Sequence, residues 1–138
     1  MITIRKQEIV KFEDVLHLYQ AVGWTNYTNQ PQMLEQALSH SLVIYLALDD
    51  DAVVGLIRLI GDGFSSVFVQ DLIVLPSYQR QGIGSSLMKE ALKDYKDAYQ
   101  VQLVTEETEK NVRFYRSMGF EVLSTYDCIG MTWANREK

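Results

Sequence analysis

Hydrophobic residues recur with strand-like or helix-like spacing in the first third of the chain. Apolar and polar residues alternate from Ile2 to Ile4, which predicts a short strand. The segments Glu13 to Val22 and Gln32 to Leu38 carry apolar residues three or four positions apart, which predicts two helices. Gly23 ends the first of them and Pro31 precedes the second, so we expect a polar and aromatic loop between them.

The middle of the chain has the pattern of a sheet. Apolar runs from Leu42 to Leu48 and from Ala52 to Ile60 flank three adjacent aspartates, which predicts a hairpin. A further run from Val67 to Val74 predicts a long strand after a glycine turn. Because neighbouring carboxylates in a turn rarely converge on one ion, we expect Asp49, Asp50 and Asp51 to form a solvated turn and no metal site.

The second half predicts two more helices and three more strands. A helix is expected from Gly84 to Tyr95, followed by a strand from Tyr99 to Val104. Thr108 is a suitable N-cap for the next helix. Segments Phe120 to Ser124 and Cys128 to Trp133 then predict a strand pair. The elements together predict an α/β (α+β) fold with a mixed sheet of six or seven strands and four helices, in one domain over residues 1–138.

Composition and charge exclude several classes of function. The net charge is −5 and no cluster of Lys or Arg appears, which argues against nucleic acid as a partner and slightly favours a cationic acceptor. Met1 to Lys6 alternates instead of forming a signal peptide, and no apolar run reaches about 18 residues, so we expect a soluble, cytoplasmic protein without a membrane partner. Cys128 is the only cysteine, and its strand-like surroundings predict a small buried apolar residue more readily than a nucleophile.

A glycine turn between the long strand and the next helix carries the strongest chemical signal. It reads Gln79-Arg80-Gln81-Gly82-Ile83-Gly84-Ser85. Glycines let the backbone approach a ligand, and the free N–H groups of the following helix point at the same place, so the turn suits an anion such as a pyrophosphate. The spacing matches neither a P-loop nor a dinucleotide-binding glycine fingerprint.

Two motifs resemble signatures of the GNAT superfamily of acyl-CoA-dependent N-acyltransferases. The first is Gln79-x-x-Gly82-x-Gly84 after a strand that ends in Val74-Leu75-Pro76, and the second is the segment from Asn111 to Phe120. Their order and separation resemble the family core, so the similarity covers essentially the whole chain. It implies a sheet that is splayed between its two central parallel strands.

The resemblance implies acetyl-CoA as cosubstrate and assigns it a set of residues. The backbone N–H groups from Arg80 through Ser85 would hold the pyrophosphate, and the splayed strand would bond the pantetheine arm by β-augmentation. The N–H of Leu72 or Ile73 would polarise the thioester carbonyl. The cofactor-binding residues implied in this way are Leu72, Ile73, Val74, Gln79, Arg80, Gln81, Gly82, Ile83, Gly84, Ser85, Asn111 and Tyr115.

Tyr115 matches the general acid of the family. A phenol with a pKa of about 10 is protonated at neutral pH and can protonate the departing thiolate. The alternative for Tyr115 is packing against its helix, and the alternative for Asn111 is capping of the helix N-terminus. Direct transfer to the amine needs no enzyme nucleophile.

The general base is less defined. Polyamine acetyltransferases of the family carry Glu-Asp where this chain has Gln70-Asp71, and an amide cannot take a proton. Asp71 is therefore the candidate catalytic carboxylate, directly or through water, although strand alternation sends it to the opposite face from Gln70 unless a bulge intervenes. The alternative for Asp71 is a structural carboxylate, with deprotonation of the amine through ordered water, which suits amines of lowered pKa.

The loop between the first two helices is expected to select the acceptor. Trp24 and Tyr27, with Gln70, are candidate substrate-binding residues, since aromatic rings can wall an amine pocket, although the rings also suit a hydrophobic cover over the core. We expect an N-acetyltransferase acting on a primary amine of a small molecule or peptide. The alternatives are a non-catalytic CoA-binding regulatory module and a protein N-terminal or lysine acetyltransferase. The sequence leaves a homodimer open.

Overall fold

A computed structural model describes residues 1–7 and 9–134 of the protein. Within these residues, five strands form one mixed sheet in the order β1-β2-β3-β4-β5. The first four strands pair antiparallel with their neighbours, and β4 pairs parallel with β5. The strands are β1 (Ile2–Gln7), β2 (Val43–Asp49), β3 (Ala52–Gly61), β4 (Ser66–Val74) and β5 (Gln100–Leu103).

Five α-helices lie in the part of the chain that the structure describes. They are α1 (Phe12–Ala21), α2 (Thr25–Thr28), α3 (Pro31–Ser39), α4 (Ile83–Asp94) and α5 (Glu109–Ser117). The prediction of a loop between the first two helices is wrong in part, because the short helix α2 lies there. Its Tyr27 is buried and packs in the hydrophobic core. None of these helices has the length and apolar character that a membrane crossing requires.

The chain divides into two compact units, residues 1–103 and the residues from Val104 onward. In the first unit, helices α1, α2 and α3 cover one face of the sheet, and α4 packs with its buried side chains on β2 and β3. Val15, Leu18 and Tyr19 of α1 are fully buried, as their helical spacing predicts. The single domain over residues 1–138 stays a prediction.

Strand β4 contains a bulge and then separates from β5. Arg58 of β3 lies opposite Asp71, but the next residue, Leu59, lies opposite Val69, so Gln70 is the extra residue of a β-bulge. The pairing with β5 runs from Ser66 and ends where Val69 meets Leu103. Residues 70–74 therefore have no ladder partner on the β5 side among the described residues, and this is the splay that the family resemblance implies.

The predicted strand pair near the end of the chain is wrong. A 3₁₀ turn, Leu123–Tyr126, occupies part of the first segment, and residues 128–133 form no strand. A strand needs a partner for its backbone groups, and the described part of the second unit offers none. The sheet consequently has five strands in the described residues where the sequence predicts six or seven. Cys128 is exposed and outside any strand, contrary to the prediction of a buried position.

Candidate active site

The glycine turn lies where the sequence predicts it, between β4 and α4. After a 3₁₀ turn at Pro76–Tyr78, Arg80 and Gly82 adopt left-handed backbone conformations with φ of 66° and 78°. Gly82 is the N-cap of α4, and a Cβ at this position would have no atom within 4 Å. The glycine therefore leaves open space in front of the helix N-terminus, in a conformation that L side chains rarely adopt.

Several backbone N–H groups of this turn have no internal partner. The first backbone hydrogen bond at the start of α4 runs from Ser86 N to Gly82 O, at 3.0 Å. Within the described chain, the N–H groups of residues 80–85 make no hydrogen bond, and the N-cap makes no side-chain bond. The first turn of α4 also contains no acidic residue. Unpaired donors at the positive end of a helix form a favourable position for an anion.

The end of β4 is tied to this turn by a side chain. Gln79 Nε2 donates to Val74 O at 3.0 Å. On the opposite side, Leu75 N donates to Val54 O at 2.9 Å, which makes residues 75 and 54 a hydrogen-bonded pair of the antiparallel ladder. Because such pairs alternate along the ladder, the main-chain groups of Ile73 face β3, and those of Leu72 and Val74 face the gap beside β4.

A buried ion pair lies beside the bulge. Arg58 and Asp71 are only 4% and 3% exposed, and they are the buried charged residues of the described chain. Asp71 Oδ2 accepts from Arg58 Nε at 2.7 Å and from the Tyr19 hydroxyl at 2.8 Å. Asp71 Oδ1 accepts from the Tyr27 hydroxyl at 2.8 Å. Three of about four acceptor positions of the carboxylate are therefore occupied.

Arg58 extends the same network to the helices. Its Nη1 donates to Ala37 O at 3.3 Å and to Ser41 Oγ at 3.2 Å, near the C-terminal end of α3, and its Nη2 donates to the Tyr27 hydroxyl at 3.2 Å. A cation is favourable at a helix C-terminus. The guanidinium thus joins β3 and β4 to α2 and α3. Sequence reasoning missed this residue, although a single arginine inside an apolar strand requires a buried partner.

The bulge brings two consecutive side chains to the same hydroxyl. Gln70 Nε2 donates to the Tyr27 oxygen at 3.3 Å, and Asp71 accepts the hydrogen of the same phenol at 2.8 Å. Simple strand alternation would send these two side chains to opposite faces, and the extra residue changes that geometry. Gln70 itself is exposed, whereas Asp71 is buried.

Aromatic rings surround this network. The Tyr19 ring centroid lies 5.1 Å from that of Tyr27 and 6.1 Å from that of Trp24. Burial, and then the negative charge of Asp71, raise the pKa of Tyr27 and of Tyr19. Both phenols consequently remain neutral donors to the carboxylate. The structure thus brings together the predicted residues Trp24, Tyr27, Gln70 and Asp71, and it adds Tyr19, a buried residue of α1.

The second unit carries Tyr115 on α5. Its ring is half-buried and packs edge-on against Phe114 and Phe120, with centroid distances of 5.0 and 6.0 Å. Burial raises the pKa of Tyr115, while a hydrogen bond with Thr105 acts in the opposite direction. The phenol is therefore protonated at neutral pH, which a general acid requires, and the predicted packing of the ring is also present.

Asn111 takes part in the capping of α5. Thr108 is the N-cap, as predicted, and its Oγ1 accepts from Asn111 N at 3.1 Å. The Asn111 side chain donates from Nδ2 to Glu106 O at 3.0 Å and so holds the preceding loop. This is the local structural role that the sequence offers as the alternative to cofactor contact. The described residues contain no group of three or more His, Cys, Asp or Glu side chains that could hold a metal ion.

Comparisons with known proteins agree with the fold and the two motifs. A family model described as an acetyltransferase (GNAT) domain matches residues 40–122, which is more than half of the chain. The chain is 32% identical over 97 residues to serotonin N-acetyltransferase 2 (chloroplastic) of rice, a match that covers 66% of this chain and 48% of the relative. The chain thus spans about half the length of that relative.

Solved structures show the same architecture. A GNAT-family acetyltransferase of Streptococcus pneumoniae is 85% identical, with 99% of this chain and 100% of that chain covered and a TM-score of 0.92. A PaiA N-acetyltransferase of Thermoplasma acidophilum, solved in complex with coenzyme A, shares the fold at 23% identity, with 88% and 91% of the two chains covered and a TM-score of 0.70. From its motifs, its splayed sheet and these matches, we conclude that the chain belongs to the GNAT family of acetyltransferases.

Proposed function

We propose that the protein transfers the acetyl group of acetyl-CoA directly to a primary amine of a small molecule or peptide. The observation that carries this proposal is the row of unpaired backbone N–H groups at residues 80–85, which lies at the end of a strand whose outer edge is open from residue 70 to residue 74. A helix N-terminus suits the pyrophosphate, and an open strand edge suits the amide-rich pantetheine arm.

Backbone direction assigns separate roles along β4. The main-chain groups of Leu72 and the N–H of Val74 face the gap and are available to the pantetheine amides, whereas the main-chain groups of Ile73 face β3. We therefore assign the N–H that stabilises the developing oxyanion to Leu72. A single donor of this kind typically contributes about 10²- to 10³-fold to the rate. Gln79 holds the Val74 carbonyl and fixes the junction between strand and turn.

Attack by the neutral amine on the thioester carbonyl forms the C–N bond, and collapse of the adduct breaks the C–S bond. Tyr115 supplies a proton to the departing thiolate. Asp71 is an unsuitable direct base because it is buried and already accepts three hydrogen bonds. The proton of the amine is therefore lost through solvent, and Asp71 acts as a positioning residue for Tyr27.

Titration calorimetry with acetyl-CoA, followed by a thiol-release assay over an amine panel, tests this proposal. The panel contains polyamines, arylalkylamines, amino sugars and peptide α-amines, and the name of the rice relative justifies including an indole alkylamine. Binding followed by thiol release on one amine class supports the enzyme. Absence of binding contradicts it.

A CoA-binding module without turnover is the second candidate, and the buried, ion-paired state of Asp71 favours it. It predicts acetyl-CoA binding without thiol release on any amine. A protein acetyltransferase would instead label proteins of a cell extract and leave the small amines of the panel unlabelled, as mass spectrometry would show.

Tyr115→Phe tests the catalytic step separately from binding. Loss of a general acid should lower kcat by about 100-fold or more, with the Kd for acetyl-CoA unchanged. Because burial raises the Tyr115 pKa above its usual value, wild-type kcat should not decrease through deprotonation of Tyr115 below about pH 10. Tyr99→Phe, at an exposed tyrosine, is the matched control. Equal kcat in the wild type and Tyr115→Phe would remove Tyr115 from the mechanism.

A further inference from the structure

The exposed amide of Gln70 has its orientation fixed by the network beneath it. A carboxylate only accepts hydrogen bonds, so the hydrogen of the Tyr27 phenol is directed to Asp71 Oδ1. The Tyr27 oxygen is then left to accept, and it does so from Arg58 Nη2 and Gln70 Nε2. The Gln70 NH₂ group consequently faces Tyr27, and its carbonyl oxygen Oε1 is the end turned away from the phenol.

The cluster carries no net charge at neutral pH. The charges of Arg58 and Asp71 cancel in their 2.7 Å contact, and Tyr19 and Tyr27 are neutral phenols. Of these four residues, Tyr27 contacts the Gln70 amide directly, and Arg58, Asp71 and Tyr19 are joined to Tyr27 through the hydrogen bonds of the cluster. At the exposed Gln70 amide, an ammonium ion would therefore meet a neutral carbonyl oxygen, with no free carboxylate of this cluster to replace its lost hydration.

Gln70 lies two residues before Leu72 on β4, which corresponds to about 7 Å along a strand. An amine that donates one N–H to the Gln70 carbonyl keeps its lone pair free for attack. The amine that attacks the thioester must be uncharged, because a protonated amine has no lone pair.

We propose that Gln70 Oε1, oriented through Tyr27 by the Arg58–Asp71 pair, accepts an N–H from the acceptor, and that the site selects the α-amino group of an amino acid or peptide over alkyl amines. This inference rests on the proposed acetyl transfer. At pH 7, an α-amine of pKa about 7.8 is uncharged about 300 times more often than an alkyl amine of pKa about 10.4. The preference follows because the cluster provides no base to remove the proton.

Initial rates of thiol release between pH 6 and 9.5 test the substrate class. The two substrates are a dipeptide amide and an alkyl amine of similar size, with saturating acetyl-CoA. We expect kcat/KM for the alkyl amine to rise about tenfold per pH unit over the whole range, and kcat/KM for the dipeptide amide to level off near pH 8. At pH 7 the dipeptide amide should be favoured by about 100-fold or more. A flat pH profile with a preference for the alkyl amine would overturn the inference.

Substitutions at Gln70 test the contact itself. Gln70→Leu keeps the size and removes the acceptor atom, so kcat/KM for the dipeptide amide should fall about tenfold with the acetyl-CoA Kd unchanged. Gln70→Glu supplies a carboxylate, so it should raise kcat/KM for the alkyl amine and flatten its pH profile. Gln32→Leu, at an exposed glutamine of α3, is the matched control and should change neither value.

Tyr27→Phe distinguishes orientation from simple packing. It keeps the ring and removes the hydroxyl that orients Gln70, so KM for the dipeptide amide should rise while the acetyl-CoA Kd stays the same. A merely structural Tyr27 would lower the melting temperature and leave KM unchanged. An unchanged KM in Gln70→Leu would overturn the inference alone, with acetyl transfer intact. Absence of thiol release from every amine would overturn the proposed function and this inference together.

Discussion

The two halves of the candidate site in the first unit are built from different materials. The turn before α4 offers backbone N–H groups and needs glycine at Gly82, where φ is positive. The cluster beside the bulge is made of side chains, and its central carboxylate, Asp71, accepts hydrogen bonds from Arg58, Tyr19 and Tyr27. A backbone site tolerates changes of side chain that leave the glycine, whereas a buried charged network depends on each partner. Substitutions in the cluster should therefore lower stability and leave acetyl-CoA binding unchanged, whereas substitution of Gly82 should chiefly lower acetyl-CoA affinity.

The largest effect is expected from Asp71→Asn. The change leaves Arg58 as a buried charge without its counter-ion, which typically costs about 3–5 kcal/mol of the free energy of unfolding. Chemical denaturation monitored by circular dichroism measures it. The folded fraction should bind acetyl-CoA with unchanged Kd, because the turn before α4 does not use the cluster.

Glu109→Gln is the matched control, since Glu109 is exposed and pairs with Arg113 on the surface of α5. Its cost should stay below about 1 kcal/mol. If Asp71→Asn is too unstable to purify, Tyr19→Phe removes one hydrogen bond to the same carboxylate and should cost about 1 kcal/mol. Equal stability of Asp71→Asn and the wild type would contradict the importance of the ion pair.

Gly82→Val should affect acetyl-CoA binding more than stability, in contrast to Asp71→Asn. A β-branched residue is strained at φ of 78°, and its side chain would enter the open space in front of the free N–H groups. We expect acetyl-CoA affinity to fall by about 100-fold or more, which is about 2.7 kcal/mol. Calorimetric titration measures the Kd.

Gly23→Val provides the same backbone strain at φ of 72°, also with no atom within 4 Å of the added Cβ, but at the end of α1. Both variants should lose a similar amount of stability, and only Gly82→Val should lose the cofactor. If both variants lost acetyl-CoA affinity equally, the loss would come from backbone strain, and the proposed pyrophosphate position at Gly82 would be contradicted.

The smallest effect is a pH dependence of stability that belongs to the cluster. The pKa values of Tyr19 and Tyr27 are raised in the folded protein above the ordinary value of 10.0, chiefly by burial. Their contribution to stability is therefore complete below pH 10 and is lost as the pH rises toward the folded values. The free energy of unfolding should fall with pH by at most about 1.4 kcal/mol per pH unit for each tyrosine. Tyr19→Phe should reduce the slope measured by urea denaturation above pH 10, and an unchanged slope would contradict the assignment.

The same contrast explains what the sequence predicts well. The turn before α4 is local, so the strand end, the two glycines and the following helix lie together in the chain, and the Thr108 cap is equally local. The cluster joins residues 13, 44 and 52 positions apart, and no local pattern specifies such pairs. The bulge at Gln70 depends on the register against β3, which is also a property of the folded sheet.

The end of the chain illustrates a second limit of sequence patterns. Residues 128–133 alternate in a way that favours a strand, yet alternation describes only one side of a pairing. A strand forms when a second backbone satisfies its N–H and C=O groups, and the described part of the second unit supplies no such partner. The alternating pattern therefore shows that the segment is compatible with a strand, and a strand forms only where a partner strand is present.

The central claim is that the backbone of the β4–α4 junction holds acetyl-CoA. At 15.9 kDa, the protein is suited to amide NMR during titration with acetyl-CoA. We predict that the largest shifts occur at the backbone amides of residues 80–85 and of Leu72, while the Arg58 side-chain signal stays in place. Saturable binding that leaves the amides of residues 80–85 unshifted, or the absence of binding, would contradict the claim.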